Sequence, residues 1–562
     1  MNRFAQYIDA VRRPHRKLCK IEFLQPDGSV AFALGTPETP LYNTKHNTNA
    51  FIQDGTLSVN LQNGIRRKAT VLLSNLDDAF DFSVNHIWFG QEIRLSMGLV
   101  LPDGTDFYLP QGVFLVDAPT TDYKPGNKTA IYNLVDKWAN LNGEQGGNLD
   151  CTHVLYAVRG GINTNVFKAM ASVLRWSKYN YEETNTKIDQ IDSVAPVFTT
   201  YYDGKTYTTD SGEVVNVLDL PYDITISGDD ATIEDILFAL NSIVNGWIGY
   251  DRTGALRVDA SQDDISDTDK PVLWAFDENN STYGGVSETN KTNEVKNDVL
   301  IIGAGLDGGE IYGRAYDEST ASATSIARIG RKTYVETRAE YWIAQQCIDY
   351  AKFLLKRKTI LQKEITIESS QLFHLDENEL VTVRRNDKPG SPVEKHLIQS
   401  YTIPLSEQGN MSITAVSVND LSVFATVIGS ENLFPHTETH DYTFSDDNYS
   451  CTFSVADGVY SVTGYTNSGM RLARNISQPF NFQEGGTFIC DVQGDNNAVA
   501  GPFELGLKNA VTSEYITFYG TKNIPAGDYW LTAKIYGHIP DGLNMGTITF
   551  TPIIRRISQE VL

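Results

Sequence analysis

The chain has 562 residues, more than one hydrophobic core usually organises, and 41% of them are apolar, enough to give each of several domains its own core. A formal net charge of −24 repels polyphosphate over most of the surface and argues against sequence-specific nucleic-acid recognition. Five scattered cysteines, Cys19, Cys151, Cys347, Cys451 and Cys490, form no C-x-x-C pair, so neither a disulfide framework nor a thiolate zinc site is indicated.

Aromatic residues are plentiful (Tyr 28, Phe 25) and charged residues make up 21%, a balance that predicts more strand than helix. The scattered cysteines fit assembly in a reducing cytoplasm, and the sequence shows no apolar run of membrane-spanning length and no signal-peptide core at the N-terminus. The basic clusters Arg12 to Lys17 and Arg66-Arg67-Lys68 are short, and are expected to be solvated faces or subunit contacts.

Taken in chain order, the first segment reads as alternating strands. Ile93, Leu95, Met97 and Leu99 interleave with Arg94, Ser96 and Gly98, and Pro102-Asp103-Gly104 and Pro125-Gly126-Asn127 mark tight turns. Val166, Met170, Val173 and Leu174 then fall at helical spacing, followed by a Tyr/Thr-rich hairpin around Tyr201 to Ser211. Thr232-Ile233-Glu234-Asp235 has the form of a capping box, and Ile233, Ile236, Leu237, Leu240 and Val244 trace one helical face ending at Gly246. The turn Asp251-Arg252-Thr253-Gly254 separates two short strands. A further helix is predicted from Val335 to Lys356, with strands at Glu364 to Ile367 and Leu380 to Val383.

An internal echo accompanies these elements. The strand Phe114-Leu115-Val116, the turn at Gly126-Asn127 and the return at Ile131 align without a gap on Leu397-Ile398-Gln399, Gly409-Asn410 and Thr414. Each copy is preceded by a Glu-led strand beginning at Glu92 or Glu379, which predicts a duplicated β-barrel. Beyond Val427 about eight short strands follow, with an Asp457-Gly458 hairpin turn, the pattern of a jelly-roll sandwich. The fold class expected is multidomain and mainly β with α+β insertions. Its domains are a first β-barrel (1–140), an inserted α+β subdomain (141–230), a helix plus β-hairpin (231–335), a second β-barrel (336–427) and a C-terminal β-sandwich (428–562).

Motifs with chemical meaning fail on context. Gly303 to Gly308 follows an apolar strand as a dinucleotide fingerprint does, but Glu310 to Tyr316 reads as a returning strand where a helix is required. Gly204-Lys205-Thr206 lacks the earlier glycine of a phosphate loop, with Thr199 in its place. The acidic loop Asp263 to Asp269 lacks the glycine and distal glutamate of a calcium loop, and His436 to Asp441 lies in a linker. Cys151 and His153 are neighbours only along the chain, and no nucleophile elbow or zinc helix occurs. No catalytic, cofactor or metal residue is therefore assigned.

Read together, Gly64-Ile65-Arg66-Arg67, Ala69 to Asn75, Trp88-Phe89-Gly90, Gly112 to Pro119, Asp192 to Thr199 and Trp247 to Val258 resemble the bacteriophage tail hub, or baseplate hub, family. The resemblance extends to about Asp420. It implies two hub-type β-barrel domains per chain and a homotrimer whose six similar surfaces adapt a hexameric tail tube to the tail tip. It also implies virion tail location, DNA passage, and contacts with a distal tail or tail tube protein, a tape measure protein and a receptor-binding protein or tail fibre. The net charge suggests an acidic lumen that does not retain DNA. No lysozyme or peptidase pattern follows Val427, so a structural, non-enzymatic role is expected. The terminal sandwich weakly resembles carbohydrate-binding modules. Tyr460, Tyr465, Tyr519 and Trp530 are candidate stacking platforms for a host surface glycan, with core packing the competing reading. Adhesion through that module, or a glycan-cleaving tail enzyme, are the alternative functions.

Overall fold

The computed structural model describes residues 3–25, 27–37, 50–75, 90–149, 151–155, 165–176, 191–194, 206–208, 214–216, 218–220, 224–226, 231–260, 271–277, 282–290, 292–305, 309–359, 363–385, 392–406, 408–418, 424–429, 433–434, 439–446, 449–456, 459–466, 471–482, 485–494, 503–536 and 547–561. The architecture is mainly β. Two units partition the chain, and each is built from separated segments: Met1–Glu294 with Leu361–Asp420, and Val295–Ile360 with Leu421–Leu562.

The first unit is organised by a 13-stranded sheet. Its strands in chain order are β1 (Lys17–Leu24), β2 (Val30–Gly35), β3 (Ile52–Asn60), β4 (Arg67–Ser74), β5 (Glu92–Val100), β6 (Asp106–Lys124), β7 (Asn127–Asp136), β8 (Val272–Phe276), β9 (Tyr283–Asn290), β10 (Lys363–Ser369), β11 (Leu380–Arg384), β12 (Val393–Pro404) and β13 (Met411–Ser417). Period-two alternation drives the burial: Leu57 and Val59 on β3, Ala69, Val71 and Leu73 on β4, and Ile413 and Ala415 on β13 all enter one core.

Within this sheet one connectivity occurs twice. The strands β3 to β7 lie in the order β3-β4-β7-β6-β5, and the strands β9 to β13 in the order β9-β10-β13-β12-β11. Every pairing in both sets is antiparallel. In each set the fourth strand is long, serving its predecessor with its first half and its successor with its second, and an irregularity in register interrupts the second pairing. Gly126 and Gly409, aligned in sequence, both turn with positive φ, +82° and +107°. The gapless alignment does not persist into the returning strands. Phe114 pairs with Asp136, beyond Asn133, the residue that aligns with Val416, the partner of Leu397. The sets also differ at one flank, where β1 joins β5 antiparallel but β8 joins β11 parallel. They are fused: the C-terminal half of β12 pairs with β3, Ser400 to Asn60 through Pro404 to Thr56, and both sets share one core.

Between the two sets lie the inserted helices Val166–Trp176 and Ile233–Val244, packed against each other. Thr232 caps the second as expected, its hydroxyl accepting from Asp235 N while the Asp235 carboxylate accepts from Thr232 N. Asn245, in the left-handed conformation at φ 51°, ends that helix, so Gly246 is free to begin the strand Gly246–Tyr250.

In the second unit the predicted helix from Val335 is shorter than expected. Residues Thr333–Arg338 form a strand parallel to Asp298–Ala304, and the helix occupies Ala344–Thr359, packed on that strand and on Glu310–Tyr316. The eight strands Val459–Thr466, Arg471–Asn475, Gly486–Gly494, Phe503–Asn509, Tyr515–Thr517, Gly520–Ile524, Gly527–Tyr536 and Thr547–Val561 form two sheets. One runs first, eighth, third, sixth and the other second, seventh, fourth, fifth, which is the strand order of a jelly roll. Phe453, Tyr460, Phe488, Leu505, Leu531 and Phe550 fill the space between them. The eighth strand continues past the sandwich to pair with Phe424–Gly429.

Candidate functional site: the seam between the repeated strand sets

The densest concentration of buried charge lies in the first unit, where β4 faces the loop between β10 and β11. Arg67 is fully buried, because the alternation that sends Ala69, Val71 and Leu73 inward also sends Arg67 inward. Its guanidinium donates to Asp376 and Glu377, each at 2.5 Å, to Gln111 O at 3.1 Å and to Tyr401 Oη at 3.4 Å. Arg252, carried by the turn that the Asp251 carboxylate ties to Thr253 and Ala255, reaches Asp376 at 3.1 Å and His374 O at 2.7 Å. Arg66 lies 3.6 Å from Glu377 and fits against β-strand Gly249, whose Cβ position its side chain occupies. Asp136, at the end of β7, accepts the backbone N–H of Arg66, Arg67 and Trp138. The basic cluster Arg66-Arg67-Lys68 is therefore corrected: two of its three cations are interior, and only Lys68 is exposed.

The electrostatics follow from burial and crowding. Burial opposes ionisation of Asp376, but Arg67 and Arg252 outweigh it and hold this carboxyl well below the usual range. Burial pushes Glu377 up to about 8, Arg67 offsetting only part of it and the neighbouring Asp376 charge adding to the rise. Asp136 is likewise pushed up to about 6 by burial, against three backbone donors. His374, beneath Phe4, Tyr7 and Trp274, is lowered to about 3 by burial and by Arg252, and stays neutral.

A pH dependence with a definite sign results. Glu377 binds a proton in the folded chain that the unfolded chain releases near its ordinary value of 4.5, so stability falls as pH rises toward about 8. The buried His374 and His396, both lowered, act only below about 6.5, in the opposite sense. The melting temperature of the first unit should therefore decline between pH 6.5 and 8.5, and Glu377→Gln should flatten that slope. A melting temperature that rises over the same interval in the parent chain would contradict the assignment.

Beside this cluster, at the surface, a cleft of about 430 Å³ opens where β3 meets β12. Its walls include Ser58, Asn60, Lys68, Ser400, Thr402 and Ser412, drawn from both strand sets. The walls supply hydroxyls, the Asn60 and Gln62 amides, the Lys68 ammonium and the Arg66 guanidinium, and among the described wall residues there is no carboxylate and no imidazole.

Of the four aromatic candidates for sugar stacking, the three whose side chains are described, Tyr460, Tyr519 and Trp530, do not converge. Tyr460 is a correction: it is 0% exposed, stacked on Phe550 at 5.3 Å and edge-on to Phe434, so it is core and offers no platform. Tyr519 is half-buried against the sandwich interior. Trp530 alternates with the buried Tyr529 and Leu531 and so faces outward from the other sheet, opposite Lys508. On that outward face Tyr515 lies over Gly506, with the Lys534 ammonium 3.4 Å from its ring centroid, so its free face is covered. The side chain of Tyr465 lies outside the described residues.

Other motifs are placed as follows. Asp298–Ala304 and Glu310–Tyr316 form an antiparallel hairpin, so the glycine-rich string from Gly303 opens no helix. Thr206 begins a strand; Gly204-Lys205, Asp263 to Asp269, His436 to Glu438 and Trp88-Phe89 lie outside the described residues. Cys151 and His153 are neighbours in space as well as in sequence, Sγ to Nε2 3.6 Å, which corrects the expectation. Among the described residues no cluster of three or more metal-type ligands occurs, and no helix is long and apolar enough to cross a membrane.

The Asp376, Glu377 and Asp136 carboxylates escaped sequence reasoning. A signal was present: Asp376-Glu377 directly follows the apolar Leu372, Phe373 and Leu375, all fully buried, and Arg67 shares the phase of an apolar strand face.

No protein-family model matches the chain, and no curated protein matches it in sequence. Among solved structures, it is similar to a tail protein from Neisseria meningitidis MC58, with TM-score 0.43 and 10% identity over 72% of this chain and 97% of that one. A prophage tail protein from Shewanella oneidensis gives TM-score 0.41 and 13% identity, over 71% of this chain and 97% of that one. For a prophage tail protein from Listeria monocytogenes the values are 0.40 and 9%, over 72% and 94%.

Proposed function

We propose that this chain is a structural hub of a long-tailed bacteriophage, a subunit of the tail tip with no catalytic role. The observation that carries the reading is the repeated connectivity: five strands in one order and pairing sense, then five more, fused edge to edge in one sheet. Three such chains related by a threefold axis present six similar strand sets, which is what a subunit needs to meet a sixfold tube. The resemblance of Gly64 to Arg67, Gly112 to Pro119 and Trp247 to Val258 to tail hub proteins points the same way. In this reading the ring assembles in the host cytoplasm, joins the tail tube or a distal tail protein, contacts the tape measure and a receptor-binding protein or fibre, and lets DNA pass.

Mass measurement of the purified full chain, followed by electron microscopy, tests it. The expected species is a trimer with a central opening; a stable single-chain species at micromolar concentration would refute the ring. For the jelly roll, the burial of Tyr460 and the covering of Tyr515 by Lys534 favour packing over sugar stacking.

A further inference from the structure

We infer that the cleft where β3 meets β12 binds one carboxylate group, held between the Arg66 guanidinium and the Lys68 ammonium. The site lies within a single chain, so it stands whether or not three copies form a ring. Strand alternation places both cations: Arg67 points into the core, so its neighbours Arg66 and Lys68 fall on the opposite face, about 7 Å apart along the backbone. The turn from β3 into β4 closes on Asn60, whose backbone N–H donates to Arg66 O, and it wraps the guanidinium. Arg66 Nε donates to Gln62 O at 2.9 Å, while Nη1 lies 3.4 Å from Asp259 and 3.6 Å from Glu377. Nη2 is buried with no hydrogen-bond partner among the described residues, in a side chain 2% exposed on the cleft wall. Lys68, exposed on the same wall, makes no ion pair or hydrogen bond among them either.

An unpartnered guanidinium nitrogen beside an unpartnered ammonium is unexpected in a chain with 70 acidic and 46 basic residues. A buried cationic N–H without an acceptor is destabilising, and an anionic acceptor answers it best. The other walls suit such a group: Ser400 and Thr402 on β12 and Ser412 and Thr414 on β13 bring hydroxyl donors, and no described wall residue brings a competing carboxylate. Charge selects the kind of oxyanion. Burial pushes Glu377 up to about 8, so near neutral pH it mostly keeps its proton and Asp259 is left as the counter-charge to Arg66. Two cations against one anion leave a single positive charge, the complement of one carboxylate. A phosphate ester brings about −1.5 to −2, and it would also meet Glu368, which stands opposite Ser412 on β10. A carboxylate presents about four acceptor sites on two oxygens, enough for Nη2, the ammonium and two hydroxyls. The cleft, about 430 Å³, admits an acidic side chain whole, so the group can arrive on a free small acid or on another protein chain.

The test titrates the full chain by calorimetry, at fixed ionic strength, with glutamate blocked as its N-acetyl N-methylamide, with the equally blocked glutamine, and with inorganic phosphate. Blocked glutamate should bind at least about tenfold more tightly than either of the others, the difference that one charge-assisted contact supplies. Lys68→Gln alters an exposed side chain that holds nothing else, and should weaken the binding by about tenfold. Thr402→Asp, at an exposed position, supplies a carboxylate from the wall itself and should abolish it. Carbodiimide coupling then separates the two sources. An isopeptide bond from Lys68 to an aspartate or glutamate of a second copy assigns the carboxylate to protein, and binding without that bond assigns it to a free acid. Equal binding of blocked glutamate and glutamine overturns the site, as does tighter binding of phosphate, or binding that both variants leave at the parent's level. Absence of both binding and the Lys68 cross-link overturns it as well.

Discussion

Replacing Arg67 by alanine is expected to cost about 3 to 5 kcal/mol, because it leaves Asp376 and Glu377 buried beside each other with no central cation. The loss exceeds that of an ordinary surface ion pair, worth about 1 kcal/mol or less, since Arg67 is 0% exposed and no water can replace it without opening the core. Arg67 also holds elements far apart in sequence: its backbone belongs to β4, its guanidinium binds the β10–β11 loop and Tyr401 on β12. Its removal should thus loosen the join between the two strand sets. Urea unfolding of the full chain checks this; a first transition within about 1 kcal/mol of the parent would show that the cluster does not carry the seam.

The second large effect is expected in the other unit, from Gly313→Ala. Gly313 lies on the strand Glu310–Tyr316 under the helix Ala344–Thr359, where a Cβ would fall 2.2 Å from Ile348 N and 2.4 Å from Cys347 C. Both atoms are helix backbone, so no rotamer change relieves the clash and the helix must lift off the strand. Overpacking of a rigid site costs about 1 to 3 kcal/mol, and this backbone contact places the change at the upper end. Amide exchange along Ala344–Thr359 should accelerate with the loss of stability. Protection indistinguishable from the parent would show that the helix accommodates the methyl group.

How much of this could be seen beforehand depends on whether a residue's local pattern and its long-range partners agree. Ile93 to Leu99 and Thr232 to Val244 were legible because period and capping chemistry are local, and the structure realises both. The strand-rich character of the stretch beyond Val427 was legible through its turn residues, but not its count, since about eight strands are expected and eleven lie among the described residues from His440 on; their two-sheet order is set by pairings that no local signal specifies. The helix expected from Val335 overlaps the strand Thr333–Arg338 because that strand has no strong inward face: its side chains alternate between exposed and half-buried, and its pairing to Asp298–Ala304 is parallel and distant. Of the candidate site, the repeat was visible as an echo of two hairpins. The charge cluster was not, since Arg66-Arg67 reads as solvated until the phase of β4 is weighed against it. Tyr460 misled in the converse way: an aromatic in phase with Val462 belongs to the core, while the outward Trp530 is out of phase with Tyr529 and Leu531.

The chain passes from one unit to the other three times, after Glu294, Ile360 and Asp420. A protease that nicked the backbone at any one of these crossings would therefore liberate neither body, because two further covalent threads would remain. Expressing the stretch from Val295 onward by itself would likewise leave β10, β11 and β12 without β9, β8 and β3, the strands they pair with in the earlier segment. Folding has to bring sequence-distant segments together before either sheet is complete, which predicts slow, concerted maturation for a protein whose working parts look modular.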